Sequence, residues 1–85
     1  MFTQNPMMLN VAHIRNGRFK IYPNITKELR IKKGLTQELL AEKFDEKRMR
    51  ISLSSIKRIE SGNNVSLRVL NGYAAYFNLL LDIAV

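Results

Sequence analysis

Apolar and polar residues alternate from Ala12 to Ile14 and again from Phe19 to Ile21, and Asn16-Gly17 lies between the two runs. A two-residue hairpin turn of the mirror-image type needs positive φ at both central positions, which Asn-Gly tolerates better than other pairs. Pairing across that turn sets Arg15 opposite Arg18, Ile14 opposite Phe19, His13 opposite Lys20 and Ala12 opposite Ile21. The pattern predicts a hairpin with Ala12, Ile14, Phe19 and Ile21 on one face and His13, Arg15, Arg18 and Lys20 on the other. An isolated hairpin is marginal in water, so its apolar face must pack on another element.

Beyond Pro23 the period changes from two to between three and four. Asn24 is placed to cap a helix over "ITKELRIKKG", with Ile25 and Leu29 on one face and Gly34 as its stop. Thr36 caps a second helix, "QELLAEKF", with Leu40, Ala41 and Phe44 inward. The polar run "DEKRMR" either lengthens that helix or forms a loop, with Met49 filling a gap near it. Ser52 caps a third helix that ends at Gly62, and Asn63-Asn64 makes the next turn. Ser66 caps a fourth helix, in which Leu67, Leu70, Tyr73, Ala74 and Phe77 recur at helical steps. "LLLDIAV" is read as a short apolar helix or tail.

At 85 residues the chain is one small unit with a modest core. Fourteen Lys and Arg stand against seven Asp and Glu, a net charge of +7, which points to an anionic partner. The excess is concentrated early: Arg15, Arg18, Lys20, Lys27, Arg30, Lys32 and Lys33 are set against Glu28 alone. Cysteine is absent, which excludes disulfides and thiolate metal sites. "MFTQNPMMLN" is not a signal-peptide pattern, and no apolar run approaches the roughly 18 residues of a membrane span.

The third helix carries the sharpest chemical pattern. Its 100° step turns Ser52, Ile56, Ile59 and Glu60 to one side and Ser54, Ser55, Lys57, Arg58 and Ser61 to the other. Short hydroxyls followed by long cations suit a helix in a DNA major groove. The small side chains permit close approach, and Arg or Lys reaches guanine O6 and N7. Any solvated helix can show such a face; the order of the segments decides between the two.

That order resembles the Cro/repressor-type, or XRE-type, helix-turn-helix family. "LRIKKGLTQELLAEKF" is similar to the family's first two helices, "SLSSIKRIESG" to its recognition helix and "SLRVLNGYAAYFNL" to the helix that follows. The resemblance implies a mainly α fold: a lambda-repressor-like bundle of four or five helices, here with an N-terminal β-hairpin. Residues 1–24 would form the arm with the hairpin and residues 25–85 the helix-turn-helix domain. Helices two and three would be the DNA-binding unit, with the helix over 53–61 in the major groove. Thr36 matches the cap before helix two, and Gln37 matches the Gln that contacts DNA backbone. Ser54, Ser55, Lys57 and Arg58 match positions that face bases or phosphates, and Gly62 matches the glycine after the recognition helix. One departure stands out. Between Phe44 and Ile56 the chain is about five residues longer than the short turn of the motif. Lys47, Arg48 and Arg50, in that extra length, would sit near the DNA backbone or in a solvated loop. The basic hairpin has three readings: Arg15 and Arg18 touch DNA, the hairpin pairs with its twin in a dimer, or it only packs on the helices.

The resulting expectation is a sequence-specific regulator of transcription, a repressor in the first instance. It binds double-stranded DNA as a homodimer in a bacterial or phage setting, in the cytoplasm on the nucleoid. An antitoxin-type protein that also holds a partner toxin, or the DNA-binding head of a longer regulator with an effector domain, would use the same features. Catalysis finds no support: there is no phosphate-binding glycine loop, and His13 is the single histidine. No cofactor, metal site or membrane partner is expected.

Overall fold

The Asn16-Gly17 turn forms as the sequence predicts. In the computed structural model, which describes residues 7–84, these two residues have φ of 51° and 71°. They join β1 (Met7–Arg15) to β2 (Arg18–Ile21). The start of the arm, residues 1–6, and the last residue of the tail lie outside the described residues. The register departs from simple counting. Arg15 does pair with Arg18, but His13 then pairs with Phe19, Ala12 with Lys20 and Val11 with Ile21. Ile14 is the extra residue in an irregularity between His13 and Arg15. A bulge of this kind sets two residues against one and shifts every pair beyond it. The inner face is therefore Leu9, Val11, Phe19 and Ile21, all buried. Ala12 and Ile14, expected inside, are exposed. The physical reason is volume: the slip exchanges one Ala and one Ile for Leu9 and Val11, both otherwise turned to water. His13 leaves the cationic face and lies over Phe19, with ring centroids 5.1 Å apart.

Four helices follow: α1 (Thr26–Lys32), α2 (Gln37–Glu46), α3 (Leu53–Glu60) and α4 (Leu67–Phe77). Thr36, Ser52 and Ser66 cap the last three, each hydroxyl accepting from the backbone N–H three residues on. The start of α1 is different. Ile25 occupies the cap position, and Asn24, one residue earlier, accepts from the Thr26 N–H and hydroxyl through Oδ1. The Asn24 amide donates to the Ile59 carbonyl at 2.7 Å, so this residue ties the start of α1 to the end of α3.

The C-terminal ends of α1, α2 and α3 share one closure, in which two N–H groups beyond the helix return to its last carbonyls. Leu35 and Gly34 donate to Arg30 and Ile31, Met49 and Arg48 to Phe44 and Asp45, and Asn63 and Gly62 to Arg58 and Ile59. The closure needs a left-handed residue. Gly34 and Gly62 supply it at φ 71° and 83°; after α2 it is Arg48 at φ 57°.

The segment "LLLDIAV", expected as helix or tail, instead forms β4 (Leu79–Ala84). Asn78, left-handed at φ 56°, ends α4 and turns the chain onto the free edge of β1. β4 runs parallel to β1, with Met7 opposite Leu79 and Ala12 opposite Ala84. The two-residue β3 (Val65–Ser66) pairs with β2, giving a four-stranded sheet in the order β3-β2-β1-β4. The four helices form the helix-turn-helix bundle expected, but the hairpin is not a separate arm: it is part of a four-stranded mixed sheet that shares the core with the helices. No fifth helix occurs among the described residues. Leu40, Phe44, Ile56, Leu70 and Tyr73 meet Leu9, Val11, Phe19 and Leu79 in a single core. The hairpin has a strand on each side: β4 pairs with β1 from Met7 to Ala12, and β3 with Arg18 and Phe19 of β2.

Candidate nucleic-acid interface

α3 is fixed by its apolar side. Ile56 and Ile59 are buried, while Ser54, Lys57, Arg58 and Ser61 are exposed and Ser55 is half-buried. The split follows the helical spacing, except that Ser52, expected inward, is exposed at the cap position. At the start of α3 the Ser52 and Ser55 hydroxyls lie 3.3 Å apart, and Ser52 accepts the Ser55 N–H. Ser61 turns its hydroxyl back to the Lys57 carbonyl at 2.8 Å. The outward side chains of Ser54, Lys57 and Arg58 point from a helix that both its ends hold in place.

Beside this face is an open cleft of about 420 Å³ between the hairpin turn, α3 and the start of α4. Arg18 enters it from the turn, Ser55 and Arg58 from α3, and Asn64, Ser66 and Arg68 from the segment leading into α4. Three arginines therefore line one concave surface beside the start of α4. Arg15 is the cross-strand partner of Arg18. Sequence reasoning missed Arg68, which stands second in α4, two residues after the Ser66 cap. Its Nη1 donates to the Arg50 carbonyl at 2.7 Å and so ties the turn before α3 to α4.

The extra length between α2 and α3 divides: Asp45 and Glu46 lengthen α2, and the residues from Lys47 form a turn. Lys47, Arg48 and Arg50 are exposed on it, and Arg48 and Arg50 both have positive φ. Between them the apolar residues point inward. Met49 packs against the core, and Ile51 is buried against Gly72 of α4.

Behind the interface, Arg30 and Glu60 form a two-pronged ion pair, Nε to Oε2 at 2.7 Å and Nη2 to Oε1 at 2.9 Å. The third Arg30 nitrogen, Nη1, donates to the Leu35 carbonyl. Burial alone would raise the Glu60 pKa. The hydrogen bonds from Arg30 and Gln37 and the Arg30 charge outweigh it and hold the carboxyl below its usual range. The Glu60 hydrogen bond raises the Arg30 pKa further, against the effect of burial. Arg30 is thereby removed from the count of cations free to meet DNA. Gln37 lies at the first position of α2 with its amide on Glu60 at 3.1 Å, which fixes the orientation of its side chain.

The chain runs α2, turn, α3 with an exposed polar face on α3, and a family model described as helix-turn-helix matches residues 27–83. The chain belongs to the XRE-type helix-turn-helix family. No curated protein and no solved structure matches it significantly. The family is one of DNA-binding domains of transcription regulators, not of enzymes. The matched region takes in α1 from its second residue, α2, α3, α4, β3 and nearly all of β4, while the β1–β2 hairpin lies outside it. None of the described helices is long and apolar enough to cross a membrane.

Proposed function

We propose that the protein is a sequence-specific repressor that acts in the cytoplasm, on the nucleoid, as a homodimer on paired half-sites. It lays α3 in the major groove of double-stranded DNA. The carrying observation is the continuity of the exposed Ser54, Lys57 and Arg58 face with the cleft that gathers Arg18, Arg58 and Arg68. A recognition helix needs side chains for base edges, and it also needs cations beside it to set the register on the phosphates. Ser54, Ser55, Lys57 and Arg58 serve the first need. Arg15, Arg18 and Arg68 flank the helix on the hairpin side, and Lys47, Arg48 and Arg50 lie in the turn before it. Gln37, held by Glu60, presents the start of α2 to the backbone.

Selection from a random duplex pool at low and moderate salt tests this. Enriched, symmetric half-sites that Ser54→Ala or Lys57→Ala alters in sequence support it. Salt-sensitive retention without any enriched sequence overturns the reading of bases.

A further inference from the structure

The cleft beside α3 has two walls of different origin. One wall is α3 and the segment leading into α4, with Ser55, Arg58, Ser66 and Arg68. The other is the hairpin turn, with Asn16, Gly17 and Arg18. None of the lining residues is acidic, and no ion pair among the described residues occupies Arg18, Arg58 or Arg68. The hairpin wall is held from behind. Arg18 and Phe19 of β2 pair with Ser66 and Val65 of β3, Phe19 is buried, and Ser66 caps α4. The turn and the helices across the cleft are thus parts of one frame.

With α3 in the major groove, as proposed above and as this step requires, its flank meets a sugar-phosphate strand. That strand is the ridge between the major and the minor groove. A ridge of negative charge suits a concave surface lined by three arginines. What lies beyond the far wall of the cleft then stands over the minor groove. The sheet order β3-β2-β1 puts β2, with Arg18, at the cleft and β1, with Arg15, one strand beyond it. Arg15 and Arg18 are paired across the turn, so their side chains leave the same face of the hairpin, and both are exposed. Width selects what can go in. Two strands about 4.8 Å apart, with side chains added, do not fit a minor groove roughly 6 Å wide, whereas one guanidinium does.

We infer that Arg15 enters the minor groove beside each half-site and makes the protein choose A·T base pairs there. The choice has two physical sources. A·T tracts narrow the groove and deepen its negative potential, which draws in a guanidinium. G·C pairs put the guanine N2 amino group, a donor, in the path of a side chain that can only donate. The contact falls roughly half a helical turn, about five base pairs, from the centre of the α3 contact. Arg18 and Arg68 hold the ridge between the two.

Flanking pairs at that distance in the selected site are replaced by A·T, G·C or I·C, and affinity for the full chain is measured by fluorescence anisotropy. Inosine lacks the N2 amino group, so an I·C pair has the minor-groove face of A·T and the major-groove face of G·C. The wild type is expected to bind A·T and I·C flanks within about twofold of each other and the G·C flank about fivefold more weakly. Arg15→Ala, at an exposed turn position, is expected to bind all three alike and to keep the half-site sequence. Equal weakening by G·C and I·C, wild-type binding that ignores the flank, or discrimination that survives in Arg15→Ala overturns the inference. With a half-site enriched, each of these results leaves base reading by α3 standing. The same three flank compositions are also measured on duplexes of scrambled sequence. If no half-site is enriched, a preference there for A·T and I·C over G·C that Arg15→Ala abolishes keeps the minor-groove contact and removes base reading by α3; no preference overturns both.

Discussion

Glu60 accepts three hydrogen bonds from Arg30 and Gln37, and each of its partners comes from a different helix. Its carboxylate is only 5% exposed, so the ion pair is shielded from screening. Glu60→Gln leaves Arg30 buried without a counter-charge, and a loss of about 3–5 kcal/mol is expected in urea unfolding. The same pair sets an acid limb. Because the folded carboxyl titrates below its unfolded value of about 4.3, its contribution is complete above that pH. It is lost as pH falls through the folded pKa, so wild-type stability should drop below about pH 4.3 by a component that Glu60→Gln lacks. An unchanged limb in the variant would assign acid unfolding to other carboxylates. Tyr73 is the opposite case. It is fully buried, burial pushes its phenol above its usual range, and its hydroxyl has no hydrogen-bond partner among the described residues. Tyr73→Phe removes an unsatisfied group while keeping the ring packed on Phe44 and Phe77. A gain of about 1 kcal/mol is expected, and a comparable loss would mean that the hydroxyl is satisfied in solution.

At the scale of elements, the turn before α3 and the middle of α4 were shaped together. Gly72 is buried within α4, where helix propensity alone favours Ala by about 1 kcal/mol. A Cβ there would strike Cδ1 of Ile51, the residue that anchors the turn. Gly72→Ala is therefore expected to cost about 1–2 kcal/mol net. Ile51→Val, which deletes the colliding methyl, should cost about 1 kcal/mol alone. Together they should cost less than the sum by at least about 0.5 kcal/mol; additive losses would show that Ile51 turns aside freely. Sequence shows some of these elements and hides others for identifiable reasons. Thr36, Ser52 and Ser66 mark helix starts, and Gly34 and Gly62 mark ends, because each residue type answers a local backbone need. Asn16-Gly17 marks its turn likewise. The left-handed Arg48 carries no such mark, since its conformation is imposed by the inward pull of Met49 and Ile51. Nor does the bulge at Ile14: which face of β1 is buried depends on a core assembled from the rest of the chain. "LLLDIAV" is short and uniformly apolar, so it has no period to distinguish strand from helix, and its partner β1 lies at the other end of the sequence. The outward face of α3 was legible from spacing. Arg68 was not, because it meets Arg18 only through the pairing of β2 with β3.

For the whole molecule, the location of the surplus cations matters more than their number. Arg30 is spent inside the fold on Glu60, and Lys33 lies 5.3 Å from the Tyr76 ring centre. Exposed cations lie on the hairpin turn, the turn before α3, α3 itself and the start of α4, around the proposed interface, while Lys20 on β2 and Lys27 and Lys32 on α1 are exposed away from it. Two kinds of contact can be separated experimentally there. A cation on a phosphate strengthens binding to every sequence alike, and its removal lowers the slope of log affinity against log salt by about 0.9. A side chain on a base edge contributes to the choice of sequence, and its loss is worth about 1–3 kcal/mol at one position. Arg18 and Arg68 line the cleft from outside α3, so Arg18→Ala with Arg68→Ala should reduce the slope by about 1.8 and leave the preferred sequence unchanged. Arg58 belongs to both the cleft and the outward face of α3. Arg58→Ala is expected to relax the choice of base at one position in each half-site. Because Arg68 also holds the Arg50 carbonyl, the double variant's unfolding free energy has to be measured alongside. A slope unchanged in a folded double variant would place the duplex on the α2 side of α3, toward Lys47, Arg48 and Arg50, and away from the hairpin.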